Sequence, residues 1–135
     1  MAGEIIAHDK PVGNYGSYDL TFAERKDYLE AKVAAESPDA EALLKFLTTI
    51  SEKVRSLMLT KVLIYREVRP NFSMASAYLI ADQYSRLFRG IRTAFVNHHP
   101  ENTDLLKFEV LVARNRGGSC EVFGDRASAL EWLLP

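Results

Sequence analysis

From Lys61 to the end of the chain, short apolar runs alternate with amphipathic stretches of helical length, and this alternation constrains the fold more than any other feature. Lys61 to Val68 contains the unbroken run Val62, Leu63, Ile64 and Tyr65. A run without polar alternation belongs to a strand covered on both faces. Pro70 and Asn71 end it. A helix follows from Met74 to about Arg89, with Ser73 as N-cap, with Ala77, Tyr78, Ile80, Ala81, Tyr84, Leu87 and Phe88 inward, and with Gly90 at the left-handed C-terminal position. Ile91 to Val96 is the next strand, closed by His98, His99 and Pro100. A further helix covers Thr103 to Arg116, with Leu105, Leu106, Phe108, Val112 and Ala113 inward and Gly117 as its stop. Ser119 to Phe123 is the last strand, and Asp125 caps a final helix. In that helix Ala127, Leu130 and Leu133 or Leu134 pack, while Trp132 covers the sheet edge. Strands separated by single helices require right-handed crossovers and therefore a mainly parallel sheet.

The first part of the chain reads differently. Tyr18, Leu20 and Phe22 alternate with polar residues, the polar turn Glu24 to Asp27 follows, and the alternation resumes through Leu29, Ala31 and Val33, which is the pattern of a β-hairpin. Ser37 and Pro38 read as the start of a helix reaching about Leu57, with Leu43, Leu44, Leu47, Ile50, Val54 and Leu57 on its buried face. Residues Met1 to Gly16 are either a loose arm or one extra edge strand. The expected architecture is α/β: a mixed sheet of about five strands, mainly parallel after the N-terminal hairpin, with about four helices. Leu47, Ile50, Val62, Ile64, Ile80, Val96, Val112 and Val122 are its expected core.

Composition narrows the function classes. A chain of 135 residues, 47% apolar and 26% charged, has room for one core, here residues 17–135. The net charge of −1, with both signs interspersed, carries no nucleic-acid footprint. No apolar run approaches the ~20 residues of a membrane span, and no basic segment followed by an apolar stretch opens the chain, so the expected location is the cytoplasm. Cys120 is the only cysteine, so an intrachain disulfide and a cysteine metal cage are both excluded. With no cationic cluster beside it in sequence, it reads as a packed residue.

No catalytic residue, metal site or cofactor is read from the chain: it lacks the G-x-S-x-G elbow, the G-x-G-x-x-G turn and the Walker lysine loop. His98 and His99 are adjacent in an extended segment and point apart, which makes them poor ligands for one ion. The helix N-terminus at Ser73 is the better candidate, because its unpaired N–H groups and positive partial charge suit an anion, with Arg66 or Arg69 adding charge. Open α/β sheets place ligands beyond the carboxyl ends of their strands, where Asn71, Asn97, His98 and Arg126 should meet. The bland alternative is that Ser73 is only a cap, worth ~1 kcal/mol. Arg114, Asn115 and Arg116 likewise suit the negative end of a helix dipole.

The hairpin, the strand Val62 to Val68 running into a helix with serines in its first turn, and the ending add up to a family resemblance. That ending runs from Ala113, Arg114, Asn115, Arg116 and Gly117 through Val122 and Phe123 to Ala129, Leu130, Glu131, Trp132 and Leu133. From about Ser17 to Leu134 the chain resembles the STAS-type domains related to bacterial anti-sigma factor antagonists, and more narrowly their uncharacterised SpoIIAA-like bacterial branch. The resemblance implies a non-enzymatic regulatory module that docks a protein partner. In the antagonists a serine at the N-terminus of the helix after the central strand is phosphorylated by a partner kinase, which abolishes binding. The matching segment here is Phe72, Ser73, Met74, Ala75 and Ser76, so Ser73, with Ser76 beside it, is the implied phosphorylation or docking position. The acidic residue and glycine of the family's Asp-Ser/Thr-Ser-Gly signature are both missing. The alternatives are a small anionic or apolar ligand bound at the carboxyl edge of the sheet, and an unrecognised small hydrolase. The identity of a partner, and the oligomeric state, are not encoded legibly.

Overall fold

Alternation of side chains builds the first half of the sheet. In β2 (Tyr18–Glu24) and β3 (Leu29–Ala35), Leu20, Phe22, Leu29, Ala31 and Val33 turn to one face and are buried, as a half-covered hairpin requires. The computed structural model describes residues 6–9, 18–35, 38–68, 72–97 and 103–135. Of the two options for the N-terminal segment it shows the edge strand: β1 (Ile6–Asp9) runs antiparallel to β2, with Ile6 opposite Ala23. β4 (Lys61–Val68), β5 (Arg92–Val96) and β6 (Ser119–Phe123) then continue in parallel from β3. Among the described residues the sheet has six strands in sequence order, two antiparallel pairings followed by three parallel ones. The expected mixed α/β architecture is thus present.

Helices α1 (Ala40–Ser56), α2 (Met74–Leu87) and α3 (Thr103–Asn115) bridge successive parallel strands, and their apolar stripes share one cluster that includes Val62, Ile64 and Phe95. Crossovers of one hand that advance in one direction leave their helices on one face. Helix α4 (Arg126–Leu133) follows the last strand and packs on the opposite face, where Ala129 and Leu133 meet Leu63, Ala94 and Val96. Successive residues of β4 therefore feed different layers, which is why its sequence shows no polar alternation. The end of α4 is held from the strand starts: Arg92 donates to Trp132 O at 2.8 Å and lies over its ring at 3.6 Å, and Lys61 donates to Leu134 O at 3.2 Å.

Several local expectations change. The cap of α1 is Asp39, whose carboxylate accepts from Ala42 N at 2.9 Å, so Pro38 precedes the helix; Ser37 lies outside the described residues. Helix α2 ends at Leu87 and its Tyr78 is exposed, because Ala77, Ile80, Ala81 and Tyr84 define a stripe that Tyr78 falls beside. In α4 the inner alanine is Ala129 and Ala127 is exposed. Of the expected core, Ile50, Val62, Ile64, Ile80, Val96 and Val112 are buried, whereas Leu47 and Val122 are half-buried and pack against its rim. Among the described residues no helix is long and apolar enough to cross a membrane.

Candidate functional site

Ser73 stands in extended conformation, φ −82° and ψ 172°, as the N-cap of α2. Its hydroxyl oxygen accepts from Ser76 N at 3.2 Å and its carbonyl from Ala77 N at 2.9 Å, so one of the helix's unpaired amides is satisfied by the side chain. Ser73 is exposed and Ser76 half-buried, which makes Ser73 the accessible hydroxyl of the two. The helix surface that starts there is apolar where it faces outward: Met74 is 52%, Tyr78 42% and Leu79 61% exposed.

Two residues expected at the carboxyl edge, Arg66 and Arg126, are engaged away from Ser73. Arg66 turns into the layer beneath α1 to α3, where both of its terminal nitrogens donate to Glu109, at 3.3 and 3.2 Å. Both partners are buried, so Arg66 is spent on an internal ion pair and is not an anion contact. Burial holds the Glu109 carboxyl above its usual range, against the opposing pull of Arg66. Arg126 reaches the opposite face of the sheet, donating to the Tyr28 hydroxyl and to Glu30 Oε1, both at 2.9 Å. It staples α4 to β3, and the hydrogen bond to Glu30 raises its pKa. Burial also raises the Tyr28 and Tyr65 phenols, with the Glu30 carboxylate adding to both. Asn97 is buried and its backbone N–H donates to Phe123 O at 3.0 Å, which extends the β5–β6 ladder by one residue. Arg69, Asn71 and His98, with His99, lie outside the described residues.

Among the described residues, the space under α1 to α3 offers little room for a ligand. A cavity of about 30 Å³ lies under α1 to α3, lined by Ile64, Arg66, Tyr84, Glu109 and Cys120 among others. That space suits one or two waters, whereas small-molecule sites span roughly 300–1,000 Å³. The Tyr84 hydroxyl donates to Thr93 Oγ1 at 2.6 Å and its ring stacks on Phe88 with centroids 4.5 Å apart, so Tyr84 and Phe88 are core contacts. Burial pushes the Cys120 thiol up to about 11, which keeps it protonated and unreactive near neutral pH. Among the described residues no three His, Cys, Asp or Glu side chains gather closely enough to hold a metal ion.

Two groupings escaped the sequence reading. The first is the Arg66–Glu109 pair, for which the sequence holds a signal: Leu106, Glu109, Val110 and Ala113 recur at three- and four-residue spacing, so an acid sits on a buried stripe and needs a cationic partner. The second is an open groove of about 680 Å³ at the C-terminal ends of the helices, lined by Arg55, Asp82, Ser85, Arg86, Arg89 and Arg116. These residues are scattered over more than sixty positions, and only Arg114 to Arg116 stood out as a cluster. Set against known proteins, the chain matches no protein-family model and no curated protein.

Proposed function

We propose that this chain is a non-enzymatic regulatory module of the STAS type that docks a protein partner around the N-terminus of α2, with Ser73 at the centre of the contact. One observation carries the reading: an exposed hydroxyl at a helix N-terminus, followed directly by the outward apolar side chains Met74, Tyr78 and Leu79. Apolar side chains left in water beside a single polar group are what a docking surface supplies. The small cavity under α1 to α3 favours docking over a ligand held in that layer. A phosphate on Ser73 would sit at the positive end of the α2 dipole, so it would change the charge of the surface without unfolding the helix beneath it.

Ser73→Asp and Ser73→Ala separate charge from fold. Aspartate is itself a good N-cap, whereas alanine removes the cap at a cost of ~1 kcal/mol. In affinity capture from the native host, wild type and Ser73→Ala are expected to retain a common partner that Ser73→Asp loses, although Ser73→Asp is the more stable of the two variants. His98→Ala and His99→Ala serve as controls and are expected to bind as wild type does. Retention of every partner by Ser73→Asp, or loss of one through a histidine variant alone, overturns the reading.

A further inference from the structure

The outward face of α2 does not stop at its apolar first turns. At 100° per residue, Ala75, Tyr78, Leu79, Asp82 and Arg86 fall within an arc of about 100°, a single strip running from the Ser73 end down to the arginine groove. The groove holds four guanidinium groups against one carboxylate on a chain whose net charge is −1. Part of that charge has structural work. Arg55 donates to Leu87 O at 2.8 Å and to Arg89 O at 3.0 Å, closing the end of α2. Arg116 pairs with Asp82 at 2.7 Å and donates to the Tyr78 hydroxyl, with its guanidinium 5.0 Å from the ring centre. Asp82 is thereby engaged, and Arg86 reaches it only at 3.5 Å with a side chain 68% exposed. Arg89 is exposed and has no acidic partner among the described residues. Two positive charges therefore exceed what helix capping consumes.

We infer that this strip, apolar at one end and cationic at the other, is the docking site for an acidic segment of a protein partner, one that lays apolar side chains on Met74, Tyr78 and Leu79 and carboxylates on Arg86 and Arg89. The inference rests on the docking reading above and names the chemistry of the partner. Charge complementarity favours this occupant over other anions. The groove lies where helices end, and helix C-termini present carbonyl oxygens and the negative end of the dipole, so a small free anion finds no backbone N–H donors there and only the flexible guanidinium groups, with no apolar contact to add to them. A nucleic acid needs an extended basic track, and the apolar half of the strip breaks it. Carboxylates on a peptide meet the outer ends of the long arginine side chains while its apolar groups supply the desolvated contact.

A phage-displayed library of random short peptides, selected on the immobilised full chain, tests this without knowledge of the partner. Enriched sequences are expected to combine Asp or Glu with large apolar residues. Their affinity, read by fluorescence anisotropy on labelled synthetic peptides, is expected to fall about tenfold or more in the Arg86→Glu/Arg89→Glu variant, a loss of about 1.4 kcal/mol or more. It should also fall in Leu79→Ser, and weaken as salt rises from about 50 to about 300 mM. Circular dichroism melts of both variants check that their folds persist, which the exposure of all three positions favours. The inference is overturned if selection returns no binder, if the binders lack acidic residues, if the arginine variant binds them as wild type does, or if inorganic phosphate or a short single-stranded oligonucleotide displaces them. Partner loss on Ser73→Asp together with an arginine variant that binds normally would sink this inference and leave the docking reading standing. Failure of both experiments would remove both.

Discussion

Met58 ends α1 in the left-handed region at φ 58°, a conformation that costs a residue with a Cβ roughly 1–2 kcal/mol. The bonds around it show why it is held there. Met58 N donates to Arg55 O at 3.0 Å and Leu59 N donates to Val54 O at 3.1 Å, the paired closure that satisfies the last carbonyls of a helix. Gly117 plays the same part after α3 at φ 88°, followed by Gly118, where a Cβ would come within 2.8 Å of Ala113 O. Met58 is 91% exposed, so its side chain has little packing to lose. Met58→Gly is therefore expected to stabilise the protein by about 1 kcal/mol, read as a higher urea midpoint at unchanged slope; a lower midpoint would contradict the strain. Gly90 and Gly117 were legible as helix ends because glycine is the residue that conformation favours. Met58 was not, since methionine carries no turn signal and the bonds to Arg55 and Val54 decide its backbone.

Arg66 on β4 and Glu109 on α3 bind a helix to the centre of the sheet, 43 positions apart in sequence. Removing one partner leaves a buried charge uncompensated, so Glu109→Ala is expected to cost about 3–5 kcal/mol, while the double change Arg66→Met with Glu109→Leu costs less than either single loss. Equilibrium denaturation of Arg66→Met, Glu109→Leu and the double variant measures this, and a double variant as damaged as the sum of the two singles would contradict it. The pair also sets a pH dependence. Burial raises the folded pKa of Glu109 above its unfolded value, so the folded state binds the proton more tightly. The contribution of this group to stability is full below the ordinary glutamate pKa of about 4.3 and is lost as pH rises through the raised folded value. Glu109→Gln is expected to flatten the stability profile over that window. Element by element, the sequence pattern carries far: β6 (Ser119–Phe123) falls where its residues suggested, and the helices differ by a few terminal residues. The charge of Arg66 suggests an anion contact beside Ser73, but its place two residues after Ile64 puts it on the buried face of β4.

The two sides of the sheet are unequal. Three helices cover one face and a single eight-residue helix part of the other, yet β4 and β5 contribute alternate residues to both layers. Val62, Ile64 and Phe95 enter the larger cluster, and Leu63, Ala94 and Val96 the smaller. Sharing the same strands couples the layers, so the molecule is expected to unfold in one cooperative step. Trp132, the chain's one tryptophan, packs beside Phe123 in the smaller layer, with ring centroids 5.7 Å apart. Its fluorescence reports α4 while far-ultraviolet circular dichroism reports the whole. The two transitions are expected to coincide in urea, and Leu133→Ala, at a fully buried site, should shift both together by about 2–5 kcal/mol. A tryptophan transition that precedes the dichroism signal would show that α4 unfolds on its own.

Local chemistry by itself determined the strands from Tyr18 onward, the helices and the caps at Ser73 and Asp125, because periodicity and capping act over a few neighbouring residues, and the alternation of those elements implied the parallel succession. Tertiary structure alone decided which polar residues meet. It buried Arg66 against Glu109, drew Arg126 across to Glu30, and brought Arg55, Arg86, Arg89 and Arg116 to one groove from three separate helix ends. Such pairings depend on distances between elements remote in sequence, and the hydrophobic pattern that places those elements is indifferent to which charges it carries along.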